Sequence, residues 1–329
     1  MNVNIPAAGL QMDREFSFSS GNAILIAANV IFQVHTDVLG RHSPALAAQL
    51  EASTKFMNGR PVLRVTDTPY DLRQALCVVY GFYGTTKQDS FSHLAACVSI
   101  GTKYGMEELV DRAITQLEPL FPANLSEWDK RAHLETRLGF RNEDAIVALN
   151  LFQQTRQFPL IPAAVYRCCQ LDPYVILHGV TRTDGTPERL SSDSVQLVFR
   201  AQAELRKHGA QMIEECRELK PSEWCSFAWA FDGCREVVSD LAHTRGDGKE
   251  AWRDGDPLDG RFLEYIDEQR DTGPGGYESR DEFADCMGAC ATCIRQVRRQ
   301  VSDMRARVWN DLPELAGVQD EIEDWAYDD

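Results

Sequence analysis

The chain has 329 residues, 43% of them hydrophobic and 26% charged, a globular balance that excludes wholesale disorder and fibrous repeats and leaves room for about two domains. Its 34 Lys and Arg stand against 50 Asp and Glu, a net charge of −16, which argues against direct nucleic-acid binding through basic residues. The longest apolar stretch, near residues 23–32, is about half the length that a membrane-spanning helix needs.

Residues 1–14 are expected to be a flexible N-terminus. The start Met1-Asn-Val-Asn-Ile-Pro lacks a basic region followed by an apolar core, so no secretory signal is expected. With that context, the ten cysteines predict reduced thiols or metal ligands in a cytoplasmic or nuclear protein before they predict disulfides. Phe16-Ser-Phe18, the apolar run Asn22–Ala28 and Val30–Val34 read as short strands, with Ser19–Asn22 and Ala28-Asn29 as hairpin turns. Short helices are predicted over His35–Gly40 and from Ser43, which caps, through Pro44 to Leu50. A strand at Pro61–Thr66 follows, then helices from Thr68-Pro69, around Leu94–Gly101 and over Met106–Leu117.

Strands first and helices afterwards make an α+β layout for residues 15–120. The segment Phe32-Gln-Val-His35-Thr-Asp-Val38-Leu39-Gly-Arg-His-Ser43-Pro44 resembles the signature of the BTB/POZ domain, a strand hairpin before His-x-x-Val-Leu-x-x-x-Ser. Phe91-Ser-His-Leu94 through Lys103-Tyr104-Gly105 and Leu109–Leu117 match its later helices. The resemblance implies a BTB/POZ-like mixed sheet flanked by helices, acting without catalysis as a docking or dimerising module. His35, Val38, Leu39, Ser43 and Pro44 are then structural. Family members that serve cullin-type ubiquitin ligases carry a hydrophobic-x-Glu motif. The nearest stretch here, Phe56-Met57-Asn58, lacks the acid.

Residues 121–315 are predicted to form an all-α C-terminal domain. Ser192–Leu219 and Arg280–Leu312 repeat apolar positions at alternating spacings of four and three, the seam of packed helices. Two long antiparallel helices within one bundle are expected rather than an intermolecular coil, because Gln202 and Gly209 weaken the first seam. Pro221–Cys234, with Trp224, Phe227, Trp229 and Phe231, is expected in the core. Residues 244–278, rich in Gly and Asp, read as an exposed loop broken by one short helix near Phe262–Ile266. Residues 316–329 form an acidic tail. Cys290-Ala-Thr-Cys293 followed by Val308-Trp-Asn-Asp-Leu-Pro313 is similar to the expanded BTB group of mushroom-forming fungi.

Antiparallel pairing would set Cys216 beside Cys290 and Cys293, which share a helix face at i, i+3. Cys225 or Cys234 would complete four thiolates for a structural zinc site. The other reading of these five residues is reduced core thiols, since buried cysteine is an ordinary small hydrophobe. Enzyme signatures such as a Walker loop, His-Glu-x-x-His or Gly-x-Ser-x-Gly are missing from the sequence. The expected function is therefore a non-enzymatic interaction protein with protein partners, including a second copy as a homodimer. A cullin-ligase adaptor and a transcriptional regulator working through a DNA-binding partner are the alternatives.

Overall fold

A computed structural model describes residues 3–4, 9–82, 90–225, 233–244, 249–269, 289–323 and 325. The chain divides into two units: residues 1–122, 130–160 and 177–189 in the first, and 123–129, 161–176 and 190–329 in the second. The first is a mixed sheet with helices and the second is helical. None of the described helices is long and apolar enough to cross a membrane.

The sheet comprises β1 (Val3–Asn4), β2 (Gln11–Ser17), β3 (Ala23–Ala27), β4 (Val30–Val34), β5 (Lys55–Met57) and β6 (Arg60–Val65), in the order β1-β5-β6-β3-β4-β2. β3 is Ala-Ile-Leu-Ile-Ala, buried at all five positions. Such an unbroken apolar run belongs to an inner strand covered on both faces. It pairs antiparallel with β4, as the Ala28-Asn29 turn predicts, and parallel with β6. The expected hairpin at Ser19–Asn22 does not form: β2 runs parallel to β4 on the sheet edge. Its register breaks between Met12 and Ser17, where the buried Asp13 carboxylate accepts the Glu15 and Phe16 N–H groups at 2.9 Å each. A side chain has replaced a neighbouring strand as the acceptor. The link expected between Leu50 and Pro61 instead holds β5 and a hairpin. Asn58 and Gly59 take φ of 51° and 76°, the backbone that a two-residue turn requires.

Helices α1 (Thr36–His42) and α2 (Pro44–Glu51) follow the β3–β4 hairpin, and α3 (Pro69–Val79), α4 (Phe91–Tyr104) and α5 (Glu107–Leu117) follow β6. Ser43, Thr68 and Ser90 cap α2, α3 and α4 through side-chain oxygens. Beyond them come α6 (Leu125–Lys130), α7 (Ala132–Leu138), α8 (Asp144–Thr155), α9 (Ile161–Cys169), α10 (Pro173–His178) and the small hairpin β7 (Val180–Thr181) and β8 (Pro187–Glu188). Within the first unit Arg182, in that hairpin's loop, pairs with the buried Asp71 of α3.

The second unit is built on α11 (Ser192–Cys216), α12 (Gly233–His243), α13 (Lys249–Asp254), α14 (Arg261–Glu268), α15 (Ala291–Asn310) and α16 (Leu312–Leu315). The predicted seams are buried: Val198, Gln202, Leu205, Gly209, Met212 and Cys216 on α11, and Ile294, Val297, Val301, Met304 and Val308 on α15. Their partners differ from expectation. α11 lies along α9 and α13 and meets α15 near their C-terminal ends, where Glu215 pairs with Arg307 and His208 faces Asp311. Gln202 donates to the Cys169 carbonyl at 2.9 Å. A Cβ on Gly209 would stand 2.0 Å from the Trp252 carbonyl oxygen. The two residues that weaken a free-standing coil are thus the ones this bundle needs.

The short helix expected near Phe262–Ile266 is present as residues 261–268, but the exposed loop expected around it is corrected over the described residues 249–269: 249–254 is helical as well, and Trp252, Phe262 and Ile266 are at 0% exposure. Short apolar spacings inside a Gly/Asp-rich stretch carried that signal. Lys249 is buried with them. Its ammonium donates to the Leu241 and Ala242 carbonyls at 2.6 and 3.2 Å, closing the C-terminal end of α12. Burial pushes its pKa down. In the tail, Trp325 is 4% exposed and stacks on Trp309, so that position is core rather than solvated end. Of the aromatics expected in the core between Pro221 and Cys234, Trp224 is instead 85% exposed, while Phe227, Trp229 and Phe231, like residues 270–288 and 326–329, lie outside the described residues.

Gly209→Ala is expected to destabilise the protein by about 1–3 kcal/mol through overpacking, despite alanine's advantage of about 1 kcal/mol in a helix. Denaturant unfolding beside Gln211→Ala on the exposed face of α11 checks this; equal midpoints would contradict the close approach to Trp252.

Candidate functional site

Two constellations carry the residues singled out by sequence. In the first unit the chain leaves β4 at Val34 and turns into α1 at His35, whose φ of −109° is extended. The His35 N–H donates to the Tyr80 hydroxyl at 2.8 Å, and that hydroxyl lies 3.2 Å from Nδ1. Nε2 lies 3.0 Å from Ser20 Oγ. Either neutral tautomer satisfies all three contacts, since the Tyr80 and Ser20 hydroxyls can each donate to or accept from the ring. The ring packs against Phe18 at 5.2 Å, inside a cluster of Phe16, Phe18, Tyr80 and Phe82. Burial raises the Tyr80 pKa. Leu39 is fully buried and Val38 half-buried. Ser43 Oγ donates to the Tyr104 carbonyl at 2.5 Å and accepts the Leu46 N–H at 3.0 Å, while Pro44 sits exposed in the first turn of α2. All five residues thus occupy positions at the joint between sheet and helix. The aromatic cluster around His35 was missed, although Phe16 and Phe18 at strand spacing were its visible half.

In the second unit the thiols of Cys225, Cys234, Cys290 and Cys293 converge, with their sulfur atoms all within 4.8 Å of one another. Three segments bring them together. Cys290 is the N-cap of α15, and Cys293 lies in its first turn. Cys234 opens α12. Cys225 follows a turn in which its N–H donates to the Ser222 carbonyl at 3.0 Å. Backbone donors reach two of the sulfurs: Cys290 N–H to Cys234 Sγ at 3.2 Å, and Ser222 N–H to Cys293 Sγ at 3.4 Å. Cys234, Cys290 and Cys293 are buried and Cys225 is half-buried. Burial pushes the Cys293 thiol up to about 12 and the Cys234 thiol higher still. A metal held by these thiols would have to displace their protons.

Cys216 is not in this set, which corrects its expected place among the ligands. α11 ends at Cys216 with Glu215 paired to Arg307, toward the far end of α15 from Cys293. The non-helical chain that follows continues along α15 toward its N-terminal end. The Lys220 carbonyl accepts from Gln296, the Ser222 N–H reaches Cys293, and Cys225 Sγ lies 3.9 Å from Cys290 Sγ. Cys216 is buried near Lys249, and burial raises its pKa to about 11. Cys286 lies outside the described residues.

Comparison with family models, with curated proteins and with solved structures finds no match to this chain.

Ser43→Ala removes a helix cap and leaves the Tyr104 carbonyl without its hydroxyl donor. A loss of about 1–2 kcal/mol is expected, read as a lower denaturant midpoint with unchanged slope. An unchanged midpoint would remove Ser43 from the joint.

Proposed function

We propose that the chain is a non-enzymatic docking protein that uses its sheet-bearing unit, a BTB/POZ-like module, to bind other polypeptides and a second copy of itself. The observation that carries this reading is the inward placement of the signature segment. Leu39 and Ser43 are buried, and His35 is held by Ser20 and Tyr80. These contacts hold the sheet and helices together and leave the outer surface for recognition.

The sheet edge favours self-association as the first use of that surface. β2 is a terminal strand of the sheet, and a terminal strand offers backbone groups to another chain. Met12 on β2 and Phe82 against Phe16 are 48% and 40% exposed. Large apolar side chains beside an available edge suit strand-to-strand docking better than solvent. The ligase-adaptor alternative gains no support from Phe56-Met57-Asn58, since Met57 is buried and both apolar residues pair within the sheet.

Light scattering on the purified full chain is expected to give the mass of a dimer. Met12→Glu combined with Phe82→Glu should shift it at least tenfold toward monomer, with circular dichroism unchanged. A wild-type monomer at every concentration, or a dimer indifferent to both charges, would remove the β2 surface as the docking site.

A further inference from the structure

We propose that Cys225, Cys234, Cys290 and Cys293 bind one zinc ion as a closed tetrathiolate site that fastens the start of α15 and the start of α12 to the segment after α11. Zinc–thiolate bonds of about 2.3 Å in a tetrahedron place sulfurs about 3.8 Å apart. Cys225 and Cys290 stand at 3.9 Å, and no pair among the four exceeds 4.8 Å. These separations are far beyond the roughly 2.05 Å of a disulfide.

Ordinary core packing accounts poorly for the set. A cysteine serving as a small hydrophobe has no need of three other thiols from two other segments. Cys225 remains half-buried and still sits with the buried three. Backbone N–H groups donate to the sulfurs of Cys234 and Cys293, an arrangement that stabilises negative sulfur and orients ligands around a metal. The first turns of α12 and α15 both supply ligands, so the positive ends of two helix dipoles face the charge that binding creates.

The chemistry balances without an oxidant. One Zn²⁺ forms four Zn–S bonds, four S–H bonds break and four protons pass to solvent, leaving a centre of charge 2−. Protein fills all four positions, which is the pattern of a structural rather than a catalytic zinc. Hard cations such as Mg²⁺ and Ca²⁺ prefer oxygen and are excluded by the donor set.

The test is elemental analysis of the full chain expressed and purified without added metal. About one zinc per chain is expected. Cys225→Ser, at the half-buried ligand, should fold and lose most of that zinc, whereas Cys216→Ser should keep it. Cobalt(II) added to chelator-treated wild type should produce the ligand-field and charge-transfer bands of a tetrahedral tetrathiolate. Thiol titration should show four slow sulfhydryls that become reactive when chelator is added. Metal-free protein that gives no such cobalt spectrum overturns the proposal, as does zinc retained in both Cys225→Ser and Cys290→Ser. Mass loss from two disulfides in unreduced, metal-free protein overturns it as well.

Discussion

An extended chain advances about 3.3 Å per residue and an α-helix about 1.5 Å, and this difference decides which cysteines meet in the second unit. If α11 had continued past Cys216, its successive turns would have carried the chain along one straight axis. It stops there, and residues 217–225 continue in non-helical form in the same sense, toward the N-terminal end of α15. Lys220 reaches Gln296, Ser222 reaches Cys293 and Cys225 reaches Cys290. The thiol nearest in sequence logic, Cys216, is left in the core beside Lys249. The one that needed an irregular segment arrives at the cluster.

The same unit shows how polar groups settle among packed helices. Arg305 is 2% exposed and binds the Asp129 carboxylate at 3.0 and 2.7 Å together with the Leu258 carbonyl at 2.5 Å. Tyr166 donates to Asp256 and accepts from the Leu258 N–H. Trp309 donates to the Ala123 carbonyl at 2.9 Å. The Leu258, Asp256 and Ala123 contacts tie irregular segments to helices and the Asp129 contact joins α6 to α15, because a buried charge or N–H without a partner costs several times what a surface one does. Segments rich in Gly and Asp therefore sit inside this unit, where composition alone had placed them in solvent.

In the first unit Asp13 plays the corresponding part. It takes two backbone N–H groups of β2 and pairs with Arg73 at 2.7 Å. The strand bends at that point, yet its neighbours Phe16 and Phe18 still pack against Tyr80. The terminal strand of the sheet is therefore fixed in place by side chains.

Local rules were enough for much of this protein. Ser43-Pro44 and Thr68-Pro69 announced helix starts, the apolar run Asn22–Ala28 a strand, and the four-three spacings the buried faces of α11 and α15. Asn58-Gly59 carried a hairpin that was legible but overlooked. These features follow from backbone conformation and side-chain period, which each residue brings with it. The partners were another matter. Only the folded chain put β2 parallel to β4, laid α11 against α9 and α13, set Gly209 under the Trp252 carbonyl and exchanged Cys216 for Cys225 in the thiol cluster. A seam records that a face is buried and not what covers it, since burial is non-directional and depends on where distant segments are carried by the chain between them.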